Sequence, residues 1–258
     1  MNLLASLVLL SAASDSFDTL DSQWQISSQR PDLQASIERV DGDNCLRLTS
    51  GSVGDYVRTF PRPVLASERP FAQAHIWLPP FEQWPQTNQN YAGFRLTITR
   101  TQGGFVWPGI FIARGINGPC FVPRVLSDLA SRSISQAGWW TLGIGEDRNA
   151  RLEFYAKPGT SSSLTEADRF FTDPDPFTTV QSFDGWFLQV ATPQPWFFAD
   201  VQLYADVPPL TISRAGGAVA LTTGYPGMVI ERSTDLVAWL PCANPDLITQ
   251  PNQFYRAR

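Results

Sequence analysis

Few side chains in this sequence could serve as a general base for a nucleophile. His75 is the only histidine, so a Ser-His-Asp triad would have to include it, and no G-x-S-x-G motif is present. Residues Phe71–Leu78 alternate between apolar and polar types, as half-buried strands do, and His75 belongs to the polar set. We therefore interpret His75 as a histidine on a sheet face rather than as a catalytic base.

Aromatic and amide side chains are better candidates for a functional site. Alternate residues of a strand face opposite sides of a sheet. If the strands share one sheet, its outer face gathers Gln73, His75, Trp77, Arg95, Tyr155, Gln189, Trp196, Gln202 and Tyr204. Flat rings can pack against the C–H faces of sugars while amides and arginine bind hydroxyl groups. This face predicts carbohydrate binding, and it equally suits an interface with the C-terminal unit or with a second subunit.

The same alternation assigns the opposite face to the core. The core residues expected from it are Ala72, Ala74, Ile76, Leu78, Phe94, Leu96, Ile98, Leu152, Phe154, Phe197, Ala199, Val201 and Leu203. Two segments outside these strands, 84–91 and 106–119, mix aromatics, proline, glycine and amides, as ligand-contacting loops do. Trp84 and Trp107 in these loops could equally cap the ends of the core.

The elements that must position these residues are short and extended. The strand candidates are Ile37–Val40, Cys45–Thr49, Tyr56–Phe60, Phe71–Leu78, Phe94–Arg100, Phe105–Ala113, Trp139–Ile144, Arg151–Tyr155, Trp186–Val190 and Trp196–Tyr204. The first two flank Asp41-Gly42-Asp43-Asn44 and predict a hairpin. One short helix is predicted over Leu164–Phe170, where Ser163 and Glu166 form a capping box. With 21 prolines in 258 residues, a helical bundle is excluded and an all-β class is predicted.

Pro208-Pro209 marks a predicted boundary between a main domain, residues 15–207, and a small C-terminal β unit, residues 208–258. The strands expected in the second unit are Leu210–Arg214, Val219–Thr222, Met228–Ser233, Val237–Pro241 and Gln253–Arg256. About 50 residues bury little surface alone. This unit should therefore lean on the main domain or on another molecule.

The N-terminal segment and the net charge bear on the location and partners of the protein. Residues 1–14, MNLLASLVLLSAAS, fit a short signal peptide and hence a secreted or cell-surface protein, or alternatively a first strand or a short buried helix of the mature fold. No other stretch has the about 20 apolar residues that span a bilayer. The net charge is −5 and Lys157 is the only lysine. Nucleic-acid binding is therefore not expected.

The three cysteines, Cys45, Cys120 and Cys242, are too few for a disulfide framework or a four-ligand zinc site. In an exported protein, Cys45 and Cys120 could pair because both lie in the main domain. Three buried free thiols fit the sequence equally well.

Several segments resemble a known family. They are DSFDTLDSQW, Val40-Asp41-Gly42 through Leu46-Arg47-Leu48, WWTLGI at Trp139, ARLEFYAKPG at Ala150 and WFFADVQLYA at Trp196. Together they resemble the concanavalin A-like (laminin G-like) jelly-roll domains of bacterial secreted proteins. The tail resembles the short C-terminal β unit of those proteins, with Ser233-Thr234-Asp235-Leu236, Trp239 and the terminal Phe254-Tyr255-Arg256-Ala257-Arg258.

The resemblance implies a two-sheet antiparallel jelly-roll sandwich but no particular activity. Where such domains are enzymes, two carboxylates about 5–5.5 Å apart hydrolyse glycosidic bonds, and no E-x-D-x-x-E-like series is present. The nearest candidates are Glu146-Asp147 and Glu153. The resemblance also implies a structural Ca²⁺, for which Asp41-Gly42-Asp43-Asn44 and Asp173-Pro174-Asp175 are candidates that equally suit ordinary turns.

The sequence therefore predicts a non-catalytic extracytoplasmic binding module. Polysaccharide or glycan recognition is the leading interpretation. A structural or self-assembling cell-surface protein, using the same face or the tail as an interface, is the alternative, and a glycoside hydrolase is less favoured.

Overall fold

The computed structural model describes residues 10–26, 32–85, 90–127, 130–147, 149–160, 164–174, 179–205, 210–215, 218–223, 230–233, 240–241 and 254–257. The chain forms two compact units, Ser11–Ala205 and Met1–Leu10 with Asp206–Arg258. No helix in these ranges is long and apolar enough to cross a bilayer.

The larger unit is built from strands. They are β1 (Leu10–Asp15), β2 (Trp24–Ile26), β3 (Gln34–Val40), β4 (Asp43–Thr49), β5 (Gly54–Leu65), β6 (Phe71–Leu78), β7 (Asn90–Arg100), β8 (Phe105–Val106), β9 (Gly109–Gly115), β10 (Gly118–Arg124), β11 (Arg132–Ser133), β12 (Gly138–Glu146), β13 (Leu152–Pro158), β14 (Arg169–Thr172), β15 (Val180–Val190) and β16 (Trp196–Ala205).

These strands form two eight-stranded sheets. Sheet one has the order β14-β13-β12-β6-β16-β4-β3, with β1 beside β16. Sheet two has the order β11-β10-β9-β7-β15-β5-β2, with β8 beside β7. The central pairs β6–β16, β6–β12 and β7–β15 are antiparallel and join strands that are distant in sequence. The predicted all-β, two-sheet antiparallel sandwich is confirmed.

The core lies between the sheets, and the alternation in β6, β7 and β13 is confirmed. Ala72, Ile76, Leu96 and Phe154 are among its fully buried members. Trp84 also belongs to the core, where its ring contacts the rings of neighbouring aromatics. Trp84 therefore caps the core, as one of the two interpretations of its loop expected.

The predicted hairpin forms between β3 and β4, with Val40 opposite Asp43. Asp41 and Gly42 both have positive φ, 53° and 99°. This conformation suits a two-residue hairpin turn because it matches the twist of the strands.

Strand β16 departs from simple alternation, and the outward placement of Trp196 is wrong. Trp196 and Phe198 are fully buried in the core, while Phe197 and Ala199 lie on the outer face. Asp200 has a φ of 46°, and the register against β6 shifts between Ala199 and Gln202. This bulge reverses the faces, so that Val201 and Leu203 are core residues as expected.

Two other elements differ from the predictions. The helix expected over Leu164–Phe170 is a single 3₁₀ turn, Glu166–Asp168, followed directly by β14. The amide of Thr165, the residue before that turn, donates to the Asp168 carboxylate, and Ser163 lies outside the described residues. The strand expected over Phe105–Ala113 is broken into β8 and β9, with Trp107 and Pro108 between them.

The smaller unit contains β17 (Leu210–Ala215), β18 (Ala218–Thr223), β19 (Ile230–Ser233), β20 (Leu240–Pro241) and β21 (Phe254–Ala257). β17 pairs with β18, and β19 lies between β20 and β21. Pro208-Pro209 and most of the segment 1–14 lie outside the described residues. The predicted leader and domain boundary therefore stay predictions.

The described cysteines are free and buried. Cys45 lies in β4 of sheet one and Cys120 in β10 of sheet two. Burial raises the pKa of the Cys45 thiol to about 11, so this thiol is a poor nucleophile at neutral pH. Cys242 lies outside the described residues.

Candidate functional site

The predicted sugar-binding set does not form one surface. Sheet one carries Gln73, His75, Trp77, Tyr155, Gln202 and Tyr204. Arg95 and Gln189 lie on β7 and β15 of sheet two, on the other side of the molecule, and Trp196 is in the core. The expectation that all these strands share a sheet is wrong, because the sequence alternation assigns a face but does not assign a sheet.

The outer face of sheet one is largely covered. Gln73, His75 and Tyr155 are only 1%, 7% and 8% exposed. The Phe71 ring packs edge-on against Tyr155. A Cβ on Gly143 would lie 2.5 Å from Cδ1 of Leu164, so the Leu164 side chain lies closely over this face. These residues are therefore not accessible as a binding platform.

The carboxylates on this side of the molecule do not form a hydrolytic pair. Glu153 accepts a hydrogen bond from the Tyr155 hydroxyl and forms an ion pair with Arg169. Glu146 is opposite Leu152 in the β12–β13 register, hence on the core side of the sheet, whereas Glu153 is on the outer side. Burial raises the pKa of Glu146 to about 7. Carboxylates on opposite faces cannot flank one glycosidic bond.

A polar cleft of about 450 Å³ lies beside the bulge of β16. It is lined by Ser14, Asp15, Ser16, Asp18, Thr19, Asp21, Arg58, Asp200 and Gln202. Arg58 neutralises part of its charge, because its guanidinium lies 2.6 Å from the Asp15 carboxylate. None of these lining residues is aromatic, so the cleft offers no flat apolar surface to a sugar ring.

Sheet two carries a groove of a different character on its outer face. The groove measures about 340 Å³ and is lined by Val57, Thr59, Thr97, Phe105, Trp107, Asp184, Gly185 and Phe187. Phe105 is 58% exposed and Trp107 is 40% exposed. We call this surface the aromatic groove. A second depression, of about 350 Å³, shares Val57 and Thr59 with it and continues across β5 to Gln25 on β2.

The break between β8 and β9 positions the exposed tryptophan. The Pro108 carbonyl accepts the amide of Leu96, and the Trp107 carbonyl accepts a hydrogen bond of 3.1 Å from Nε of Arg95. These bonds fix the backbone at Trp107. The Trp107 ring lies 6.1 Å from the Phe187 ring, centre to centre, at a tilt of 45°. The aromatic groove therefore has a positioned aromatic wall.

Hydrogen-bonding groups lie beside this wall. The Asp184 carboxylate accepts the hydroxyl of Thr99 at 2.5 Å and that of Ser182 at 2.9 Å, one on each oxygen. These bonds hold the carboxylate in place, and each carboxylate oxygen can accept a further hydrogen bond. Thr59 and Thr97 add hydroxyls that both donate and accept.

Arg95 lies at the Trp107 end of the aromatic groove. Its guanidinium carbon is 4.7 Å from the centre of the Phe187 ring and 5.1 Å from that of Phe111. Burial lowers the pKa of Arg95 to about 10, so it stays charged at neutral pH. A Cβ at Gly109, opposite Arg95 on β9, would lie 2.4 Å from the Arg95 side chain. Only glycine leaves room for this arrangement.

The sequence contained part of this site. Sequence alternation selects Arg95 as a candidate residue, and the composition of residues 106–119 predicts a ligand-contacting loop that contains Trp107. Alternation does not select Asp184, Thr59 or Phe187. Phe187 and Thr59 lie on strands that the sequence predicts. They can be identified as site residues only when β5, β7 and β15 are known to be neighbours.

The candidate calcium loops do not form a metal site in the described residues. No group of three or more His, Cys, Asp or Glu side chains is arranged there to bind a metal. Asp41 accepts a hydrogen bond from the indole of Trp139 instead. Asp175 lies outside the described residues.

No protein-family model matches the chain, and no curated protein is significantly similar to it. Solved structures do resemble it. The carbohydrate recognition domain of Emp47p has a TM-score of 0.51 and 13% identity, over 77% of this chain and 97% of that one. The winged bean acidic lectin complexed with methyl-α-D-galactose has a TM-score of 0.50 and 11% identity, over 75% and 98%.

A mutant of the Emp46p carbohydrate recognition domain has a TM-score of 0.50 and 11% identity, over 76% of this chain and 97% of that one. At such identities the likeness concerns the fold. The strand order, the two facing sheets and these structural neighbours agree, and the main unit of this chain has the concanavalin A-like jelly-roll fold.

Proposed function

We propose that this protein is a carbohydrate-binding module and that the aromatic groove on sheet two is its binding site. The observation that carries the proposal is the pair of exposed rings, Phe105 and Trp107, beside fixed polar groups. Adjoining exposed apolar side chains that are rimmed by polar groups are typical of interaction sites, whereas single exposed ones are common on any surface. The combination of a flat ring and hydrogen-bonding groups suits a sugar.

The roles follow from the chemistry of each group. The Trp107 ring stacks against the C–H face of a pyranose, and Phe187 extends the apolar floor. The Asp184 carboxylate accepts hydrogen bonds from sugar hydroxyls, and Thr59 and Thr97 donate to or accept from others. Because Thr99 and Ser182 already hold Asp184, little side-chain entropy is lost when a ligand binds.

The shape of the site favours a chain of sugars over a single ring. The aromatic groove and the adjoining depression at Gln25 share Val57 and Thr59. Together they cross β7, β15, β5 and β2, which are successive neighbours in sheet two. Neighbouring strands are about 4.8 Å apart, so these four strands span about 14 Å. This length suits an oligosaccharide lying across the strands.

The fold is compatible with this function. Two of the solved structures that share it are named as carbohydrate recognition domains and one as a lectin. A location outside the cytoplasm, expected from residues 1–14, is part of the proposal. So is a non-catalytic role, which the separation of Glu146 from Glu153 supports.

Self-association is the second candidate, and a specific observation favours it. Leu126 is 74% exposed and follows the end of β10 that pairs with Gly109, the end at which Trp107 precedes β9. With the exposed Phe105 and Trp107 it adds a third large apolar side chain to the surface of sheet two. Such residues also suit an interface between two copies of the chain.

A glycan array followed by calorimetry separates these candidates. Trp107→Ala should abolish saccharide binding, whereas Trp77→Ala, which removes a half-exposed tryptophan from sheet one, should leave binding unchanged. Loss of binding only in Trp77→Ala would move the site to sheet one and contradict the proposal. A dimer that Trp107→Ala dissociates, without any saccharide binding, would favour self-association.

A further inference from the structure

The charge environment of Arg95 points to a particular class of saccharide. Among the described residues, no carboxylate lies within ion-pair distance of its guanidinium, and its one hydrogen bond is from Nε to the Trp107 carbonyl. The terminal nitrogens, Nη1 and Nη2, thus have no protein acceptor there. Arginine is normally paired when it is partly withdrawn from water, since an unpaired cation is costly.

Two carboxylates on the strands next to Arg95 are already hydrogen-bonded to other groups. Asp55 accepts a hydrogen bond of 2.6 Å from the Gln189 amide. Asp184, which lines the aromatic groove, is bonded to the hydroxyls of Thr99 and Ser182. Asp55 acts on Arg95 electrostatically and favours its charged form. Neither carboxylate forms an ion pair with Arg95, so the N–H groups of its terminal nitrogens are left for a ligand.

Aromatic rings hold this charge beside the groove. Phe187 and Phe111 both lie within 5.1 Å of the guanidinium carbon, measured to the ring centres, and Arg124 lies over the same Phe111 ring at 4.3 Å. Such ring contacts attract the cation without occupying the N–H groups of its two terminal nitrogens. Those N–H groups match the two oxygens of a carboxylate.

We infer that the aromatic groove selects acidic saccharides: a sugar carboxylate pairs with Arg95 while the sugar ring stacks on Trp107. This inference rests on the proposed function and adds the ligand class to it. The groove has charged groups of both signs. Asp184 lines it, and Arg95 lies beside its Trp107 end. The acidic group of the sugar therefore faces Arg95, and its hydroxyls face Asp184.

The chain as a whole cannot account for such selection. Its net charge of −5 repels anionic ligands at long range. Preference for an acid therefore has to come from a local pairing. A local pairing can be removed by one substitution, whereas a long-range attraction cannot.

The test uses uronic-acid and sialic-acid oligosaccharides, each matched with its carboxyl-reduced, neutral form, and measures Kd for the full chain. The wild-type protein should bind at least one acid form roughly ten- to hundredfold more tightly than its neutral match, the size expected of a charge-assisted hydrogen-bonded pair. Arg95→Gln should bring the ratio of the acid and neutral Kd values to about one; this ratio is the readout because the substitution also removes the hydrogen bond to the Trp107 carbonyl. Arg47→Gln, which removes a partly exposed arginine on sheet one with the same change of charge, should retain the preference.

The outcomes are distinguishable. Equal binding of acid and neutral forms by the wild-type protein overturns the inference and leaves the proposed function standing. Binding of no saccharide overturns both. If Arg95→Gln does not fold, the wild-type comparison still decides, and added salt gives a second measurement: about 0.5 M NaCl should weaken binding of the acid form and spare the neutral form.

Discussion

Oδ2 of Asp200 lies 3.2 Å from Nδ1 of His75 across the β6–β16 pair. Asp200 has a left-handed backbone conformation, with a φ of 46°, at the bulge where the register between these strands shifts. The contact therefore belongs to the same local feature that sends Trp196 into the core. His75 itself is only 7% exposed, although it lies on the outer face of sheet one.

Substitutions at Asp200 test the importance of this conformation. Asp200→Val should lower the free energy of unfolding by about 1–2 kcal/mol, because a β-branched residue is strained at positive φ. Asp200→Gly should change it by less than about 1 kcal/mol, since glycine adopts this conformation without strain. Urea unfolding of both variants gives the comparison. Equal losses in the two would show that the side-chain contact with His75, not the backbone, is what matters.

The buried carboxyl group of Glu146 should make stability depend on pH. Its pKa is raised from 4.5 to about 7 by burial, so the folded protein holds a proton that the unfolded chain releases between these values. The free energy of unfolding contributed by this group is therefore full below about pH 4.5 and falls as the pH rises through 7.

Glu146→Gln should remove this dependence. The variant should be more stable than the wild-type protein by about 1–2 kcal/mol at pH 8 and equal to it near pH 4. Glu38→Gln, at an exposed position on β3, is the control and should alter neither value. Unfolding curves recorded across this pH range are sufficient, and a wild-type stability that does not fall between pH 5 and 8 relative to Glu146→Gln would count against the assignment.

The N-terminal strand should depend on one buried ion pair. Asp15 accepts hydrogen bonds from the Trp24 indole at 2.7 Å and from Arg58 at 2.6 Å. Asp15→Ala leaves the buried Arg58 without its closest carboxylate and should cost about 3–5 kcal/mol. Glu38→Ala, which breaks the exposed pair with Arg47, should cost less than about 1 kcal/mol. Similar losses in the two variants would contradict the burial of the first pair.

Trp196 and Trp77 should differ sharply in their contribution to stability. Trp196 is fully buried, and its ring packs against Trp84 and Tyr91. Trp196→Ala should therefore lower the free energy of unfolding by about 3–5 kcal/mol. Trp77 is half-buried on the outer face, where it contacts Phe197 edge-on, so Trp77→Ala should cost about half as much or less. Thermal denaturation monitored by circular dichroism would report both.

The alternation of residue types predicted the faces of most strands. Along β6, β7 and β13 the expected apolar residues are in the core, because a half-buried strand requires one apolar face. Along β16 the alternation predicted the wrong faces from Trp196 to Ala199, because a bulge after Ala199 adds one residue and exchanges the two faces. The one sequence signal is an aspartate, which tolerates positive φ, within an apolar run.

The alternation of residue types did not predict how exposed the outward-facing residues are. Gln73 and Tyr155 face outward, as expected, yet the Phe71 ring and the segment containing Leu164 accompany them on that face and leave little of them accessible. A two-residue period distinguishes core from outer face. It carries no information about which loop crosses the outer face.

By itself, the sequence determined the class of fold, the strands and most core residues, because proline content, turn residues and alternation act locally along the chain. The tertiary structure alone decided which strands are neighbours, and hence that Arg95 and Gln189 are on a different sheet from His75. The neighbours of a strand in this jelly roll come from distant parts of the chain, as β7 and β15 do. The aromatic groove exists only because that pairing places Phe187 beside Arg95 and Trp107, and no spacing along the chain encodes it.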